Sequence, residues 1–466
     1  MRWLSSVLVL LVLGQGCSDS NVGEASAAEC LAPRAECGGV CVNPMTDPSN
    51  CSACGQACEP GQYCSEGACS DGCTGSLTAC GQSCVNPLGD PEHCGQCDRV
   101  CWTGLSCVQG ACVVGQGSGG AAGTGGTSSS GGTPNSDPRV RVSNSEFSKC
   151  GQRIFMNGVN TPWNNWNDFG GDYDRTFWSN HYRDLHDAGV NSSRVWITCS
   201  GEVGIDIAAD GTVLGATAAH WADLDSFFAI AEEQQIHVMA TLMSFDHFDS
   251  GAEARWDAWI ASDANIDSFV ENYLIPFLER YGQSPYLWSI DLINEPDWVY
   301  EESNIPFDRL RAYFARAARA IHQNSEVLVT VGMASPKHSA NCSGCEQLIS
   351  DAELRKSVDD PAVYLDFYSP HYYDWVGEQW GNTLHRSPAL TGYPTDKPLM
   401  IGEFPARGTA GYTLTEDIKA ALAFGWKGTM PWTSNGVDRN GGFAEVSVAA
   451  TAFRDANPSL VFPACQ

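Results

Sequence analysis

Along the last two thirds of the chain, short apolar runs alternate with longer stretches whose apolar residues recur every three or four positions. The runs Ile154–Asn160, Val190–Ile197, Ile236–Met243, Leu287–Asn294, Val327–Met333, Val363–Ser369, Leu399–Glu403 and Gly428–Trp432 read as strands. Between them, Trp221–Gln234, Ile266–Tyr281, Phe307–His322 and Thr415–Phe424 read as helices. In the third of these helices Leu310, Phe314, Ala317 and Ile321 fall on one face, the spacing of a buried stripe. Eight strand-then-helix alternations predict an α/β fold with parallel strands, best closed as a (β/α)8 barrel over residues 138–466. A doubly wound open sheet is the alternative. It wants a glycine-rich phosphate turn after its first strand, and Gly158-Val159-Asn160-Thr161-Pro162 is not one.

The first third has no such rhythm. Residues 1–16 open with Arg2 and an apolar stretch too short to cross a bilayer, and read as a secretory signal. The stretch ends in Gly14-Gln15-Gly16-Cys17, which resembles a bacterial lipoprotein cleavage site with Cys17 as the lipidated residue; ordinary secretion is the alternative. After a spacer (17–29), cysteines 30, 37, 41, 51, 54, 58, 64 and 69 are followed by 73, 80, 84, 94, 97, 101, 107 and 112, a strict 43-residue repeat. Units this short cannot bury enough apolar surface to fold unaided, so two disulfide-stapled repeats, 30–69 and 73–112, are expected. Zinc is the rival, because Cys51-x-x-Cys54 and Cys94-x-x-Cys97 have ligand spacing. An exported chain with eight cysteines per unit favours disulfides. The repeats are similar to cysteine-rich units of bacterial surface proteins. The Gly/Ser/Thr-rich 113–137 is a tether. The barrel region keeps cysteines 150, 199, 342, 345 and 465; closure brings its ends together, so Cys150–Cys465 and Cys342–Cys345 should be bonded and Cys199 free.

A formal net charge of −29 argues against nucleic acid or an anionic membrane as partner, and leaves a neutral polysaccharide open. A lipid anchor is the one membrane link expected, and the protein is expected to be an extracellular monomer. The histidines are scattered without a helical His-x-x-x-His pair, and the loop holding Asp206, Asp210 and Gly211 lacks calcium-loop spacing, so no metal or cofactor is required. A serine hydrolase would want a Gly-x-Ser-x-Gly elbow, which does not occur.

Two strand-like runs end on glutamate: Leu292-Ile293-Asn294-Glu295-Pro296 and Leu399-Met400-Ile401-Gly402-Glu403-Phe404. Singly, each has a bland reading, a turn that ends a strand or a surface acid. Together they supply what cleavage of a glycosidic bond needs: two facing carboxyl groups, at the strand ends where barrels build active sites. At the ends of the fourth and seventh strands, they make the region similar to clan A glycoside hydrolases, and most like family 5, the cellulases and β-mannanases. That resemblance implies Glu295 as acid/base and Glu403 as nucleophile, in a retaining mechanism. It implies Asn294 on the sugar 2-hydroxyl, Arg194 holding Glu403 ionised, and His371 and Tyr373 facing the sugar, with Tyr373 donating to Glu403. Trp432 would floor the cleaved sugar's subsite, while Trp196, Asn160 and His247, with Asp246 beside it, border the site. Trp163, Trp166, Trp298, Trp375 and Trp380 fall in loops expected at that face. Repulsion from Glu403 would raise the Glu295 pKa.

The resemblance points to a β-1,4-glycan, mannan ahead of cellulose, through Arg194-Val195-Trp196 and through the segment Leu365 to Trp375. Asp297, where β-mannanases often carry arginine, and Gly402-Glu403-Phe404-Pro405, where they often show Glu-Glu-Phe-Gly, depart from it. A surface adhesin that binds polysaccharide without cutting it is the alternative of another class.

Overall fold

The computed structural model describes residues 137–465, except 250, 251 and 304, and parts of 35–114. The chain divides into two compact units, 1–128 and 129–466. The signal-like segment, Cys17 and the tether lie outside the described residues.

In the first unit, Tyr63–Ser65, Ala68–Ser70, Thr78–Cys80 and Ser83–Val85 form one four-stranded sheet, in which a strand of the first repeat pairs in parallel with one of the second. Disulfides join Cys37 to Cys54, Cys51 to Cys64 and Cys58 to Cys69, then Cys73 to Cys84 and Cys80 to Cys97. Cys80–Cys97 is Cys37–Cys54 displaced by one 43-residue repeat. Cys51 and Cys54 each belong to a disulfide, so that pair is no zinc clasp.

The second unit is a barrel of β1 (Met156–Asn160), β2 (Ser192–Trp196), β3 (His237–Thr241), β4 (Leu287–Asn294), β5 (Leu328–Met333), β6 (Ser369–Pro370), β7 (Ile401–Pro405) and β8 (Gly428–Trp432). Neighbours in sequence pair in parallel, and β1 pairs with β8. Bridges Tyr368↔Leu399 and His371↔Glu403 close the remaining seam between β6 and β7. The strands are buried throughout because helices cover them outside and side chains fill them inside. The helix Phe307–Asn324 buries Leu310, Phe314, Ala317 and Ile321, the expected stripe.

Two expectations are corrected. The sixth strand is two residues, not seven, because the Asp366 carboxylate accepts the Val329 N–H at 2.7 Å and replaces a backbone ladder bond. The expected helix Ile266–Tyr281 begins earlier, at Asp263, and passes through a π turn at Val270–Leu274 before Ile275–Tyr281. Pro276 has no N–H to continue an ordinary helical ladder there.

A hairpin-like sheet, Val140–Ser143 with Glu146–Lys149 and Gln152–Arg153, closes the N-terminal end of the barrel. Its Phe147 meets Trp288 and Phe367 edge-on, and Met156, Met239, Met400 and Met430 complete an apolar plug. Cys150–Cys465 and Cys342–Cys345 are bonded as expected, and Cys199 is free and buried. No described helix is long and apolar enough to cross a membrane.

Candidate active site

At the opposite, C-terminal end the barrel interior turns polar. Glu295 follows β4 in the left-handed region (φ 48°), and Pro296 starts the next helix. A non-glycine residue held there is strained, and such strain concentrates at functional sites. The Glu295 N–H donates to the Gly332 carbonyl at 2.8 Å, tying the turn to β5. Glu403 lies within β7. One atom each of Glu295, His371 and Glu403 lie within 4.8 Å of one another.

Beneath them Arg194, fully buried on β2, spends every guanidinium proton. Its Nε and Nη2 donate to Asp291 Oδ2 at 3.0 and 2.7 Å, Nη1 to Glu403 Oε2 at 3.0 Å and Asn160 Oδ1 at 3.1 Å, and Nη2 to Asn294 Oδ1 at 2.8 Å. These contacts turn the Asn294 carbonyl toward the arginine and leave its Nδ2 amide without a partner among the described residues, free to donate into the cleft. Tyr373 donates its hydroxyl to Glu403 Oε1 at 2.7 Å. Burial and the two glutamates hold the Tyr373 pKa well above its ordinary value, so it remains a donor.

His371 Nδ1 lies 2.9 Å from Glu295 Oε1 and 3.7 Å from Glu403 Oε2. Its Nε2 is buried with no partner, so the ring proton belongs on Nδ1, where Glu295 receives it. Burial lowers the His371 pKa to about 4, and the ring is neutral at pH 7. Trp298 Nε1 donates to Glu295 Oε2 at 2.8 Å. Burial raises the Glu295 pKa to about 7, and Asp291 adds to that rise while Trp298 and Arg194 oppose it. Burial, rather than the expected repulsion from Glu403, is therefore the main cause. The Glu403 pKa is also raised, by burial first and then by Glu295, while Arg194 and the Tyr373 hydroxyl oppose the rise. The arrangement can keep one carboxyl protonated and the other, gripped by a cation and a phenol, ionised.

Trp432 packs edge-on against Trp196 and Trp163, with ring centroids 5.1 and 5.9 Å away, and Trp163 in turn meets Trp166, which is 42% exposed. Trp298 stands 6.0 Å from Trp375, which is 40% exposed. Trp380 makes no ring contact with either set among the described residues. The 2% exposed Trp196 and the fully buried Asn160 reach the site through neighbours: Trp196 stacks under Arg194, and Asn160 also donates to the Gly402 and Met430 carbonyls. His247 does not join the group. Its Nε2 meets Thr198 Oγ1 at 2.9 Å, its Nδ1 faces the Ser244 backbone, and Trp256 covers it. Burial lowers its pKa to about 3, so it is a neutral structural ring. Asp246 accepts from Ser244 Oγ at 2.7 Å.

Sequence reasoning missed Asp291 and Gly332. Asp291 sits three residues before Asn294, an odd spacing that in a regular strand puts the two on opposite faces. A bulge between them, where three steps on β4 match two on β5, brings both to Arg194. The available signal was a lone carboxylate inside the apolar run Leu287–Ile293.

Glu295, His371 and Glu403 could offer ligand atoms to a cation, but Arg194 already brings a positive charge to Glu403. Among the described residues the other such group, Cys51, Cys58 and Cys69, consists of disulfide sulfurs.

The barrel unit is similar to a mannan endo-1,4-β-mannosidase from Mytilus edulis, 25% identical over 337 residues that cover 65% of this chain and 89% of that protein. Among solved structures it is similar to an endo-1,4-β-mannanase from Eisenia fetida (TM-score 0.62, 24% identity, 68% of this chain and 95% of that one). It is also similar to a β-1,4-mannanase from Aplysia kurodai (TM-score 0.62, 23% identity, 70% of this chain and 100% of that one). The likeness is one of fold, the same (β/α)8 barrel. Residues 15–72 and 66–115 match the stigma-specific STIG1-like protein family, a match confined to the cysteine-rich region.

Proposed function

We propose that the barrel is a retaining endo-β-1,4-mannanase. The observation that carries this is the asymmetry of the two glutamates: Glu403 is held by Arg194 and Tyr373, while the partly buried Glu295 has a pKa raised to about 7. Glu403 attacks the anomeric carbon as Glu295 protonates the departing oxygen. The glycosyl ester removes the charge on Glu403, and Glu295, now ionised, takes a proton from the water that releases the sugar. One oxygen of each carboxyl lies within 4.8 Å of the other, in keeping with the short, roughly 5–5.5 Å carboxyl separation of retaining pairs. Asn294 Nδ2 meets the 2-hydroxyl, Trp432 floors the cleaved sugar, and Arg194, Asn160 and Trp196 position the others.

Mannan as substrate rests on the likeness to the Mytilus edulis mannan endo-1,4-β-mannosidase together with Arg194-Val195-Trp196 and the segment through Trp375. Purified protein should release oligosaccharides from glucomannan or galactomannan faster than from carboxymethylcellulose, with the first product retaining its anomeric configuration by NMR. The reverse ranking would move the reading to an endoglucanase, and binding without cleavage to an adhesin.

The 1–16 signal, Cys17 as lipid attachment site, the domain limits (repeats 30–69 and 73–112, tether 113–137, catalytic domain 138–466) and a monomeric state belong to the same proposal. The described disulfides support an extracellular location. Mass spectrometry of the membrane-fraction N-terminus would decide for or against the anchor.

A further inference from the structure

Asp291 is fully buried, touches no position open to substrate, and makes four hydrogen bonds. Oδ2 takes Arg194 Nε, Arg194 Nη2 and, at 3.2 Å, Thr241 Oγ1; Oδ1 takes the Gly332 N–H at 2.8 Å. A side-chain carbon on Gly332 would fall 2.8 Å from His371 Nε2, 2.9 Å from Arg194 Nη2 and 3.0 Å from Asp291 Oδ2, so only a glycine on β5 lets these three groups pack this closely.

One guanidinium thus lies between two carboxylates, Asp291 below and Glu403 above. Facing Glu403 alone in a low-dielectric interior, Arg194 would stabilise that anion strongly, blunting it as a nucleophile, and would draw the proton off nearby Glu295. We propose that Asp291 is a positioning residue of this active site: it fixes the Arg194 fork on Glu403 and Asn294, and its buried charge offsets the guanidinium's so that Glu295 keeps its proton. Asp291 is among the groups that raise the Glu295 pKa, in keeping with this. The inference rests on the glycosidase reading of the site.

Asp291→Asn keeps an acceptor for Gly332 but removes the charge. Its kcat on galactomannan should fall about tenfold or more while KM changes little, and the alkaline limb of its kcat/KM profile should move to lower pH by about half a unit or more. Carbon-13 titration of the Glu295 carboxyl should shift the same way. A uniform loss of rate with the limb and the Glu295 titration unmoved would mean a merely structural role and overturn the proposal. If the near-UV spectrum shows that Asp291→Asn has lost its packing, Asp291→Glu takes its place. That variant keeps the charge, so rate should drop with the limb unmoved, and a moved limb would count against the idea. A wild-type protein that cleaves no glycan would sink the glycosidase reading alone, since the Glu295 titration needs no turnover.

Discussion

The two ends of one barrel are built on opposite principles. At the N-terminal end Phe147, Trp288, Phe367 and four methionines fill the interior with apolar contacts. At the C-terminal end the same eight strands enclose Arg194, Asp291, Asn294, His371 and Glu403, all nearly or fully buried. The first arrangement gains free energy from burial. The second costs it, because each desolvated charge must be matched by a partner. The backbone differs too. Of the three register shifts within the barrel, one precedes Glu295, at Asp291/Asn294, and one spans Glu403, at Ile401/Phe404. Stability is stored at one end, and strain and charge are kept at the other.

If this division holds, Glu295→Gln should lower the rate by about 10²–10⁴-fold, as loss of an acid/base does. It should not destabilise the fold. The unfolded carboxyl ionises near 4.5 and the folded one near 7, so between those values the folded chain holds a proton the unfolded chain has lost, and wild-type stability falls as pH rises through that window. Thermal melts at pH 8 should therefore find Glu295→Gln at least as stable as wild type; a marked drop in melting temperature would blur the division.

The apolar end offers the converse. Phe147→Ala should cost about 3–5 kcal/mol in denaturant unfolding while the folded fraction keeps its kcat. Loss of turnover in still-folded protein would show that the two ends are coupled.

Removing the Cys150–Cys465 bond, which ties the capping sheet to the chain's C-terminal end, with serine at both positions should cost about 2–4 kcal/mol. Product analysis should be unchanged.

The smallest effect is on pH. Because Glu295 must be protonated to act as acid, kcat/KM should decline as pH rises through about 7, roughly tenfold per unit beyond it. A flat profile to pH 9 would remove Glu295 from the acid role.

The strands that alternation revealed most clearly are those buried by both layers: β4 and β8 have the expected limits, Leu287–Asn294 and Gly428–Trp432. The sixth failed because Asp366, a side chain, took over a ladder bond that apolar pattern cannot register. Within the site, Glu295 and Glu403 were legible because each ends an apolar run. His247 had the same kind of position, after β3, yet folds inward onto Thr198 and Ser244. Position at a strand end brings a residue to the active face of the barrel; the turn that follows decides whether it faces the cleft or the wall.

By itself the sequence determined the alternation that makes a barrel, the 43-residue cysteine repeat, and the two glutamates at the ends of the fourth and seventh strands. These are properties of spacing, and spacing is written locally. Tertiary structure alone decided that Asp291 belongs with Arg194, that Trp298 and His371 contact Glu295, and that burial is the main cause of the raised Glu295 pKa. Those facts depend on contacts between residues as much as 209 positions apart, as from Arg194 to Glu403, and on bulges that reverse which face a side chain takes. A local pattern records neither, because the energy of a buried charge is set by what closes around it.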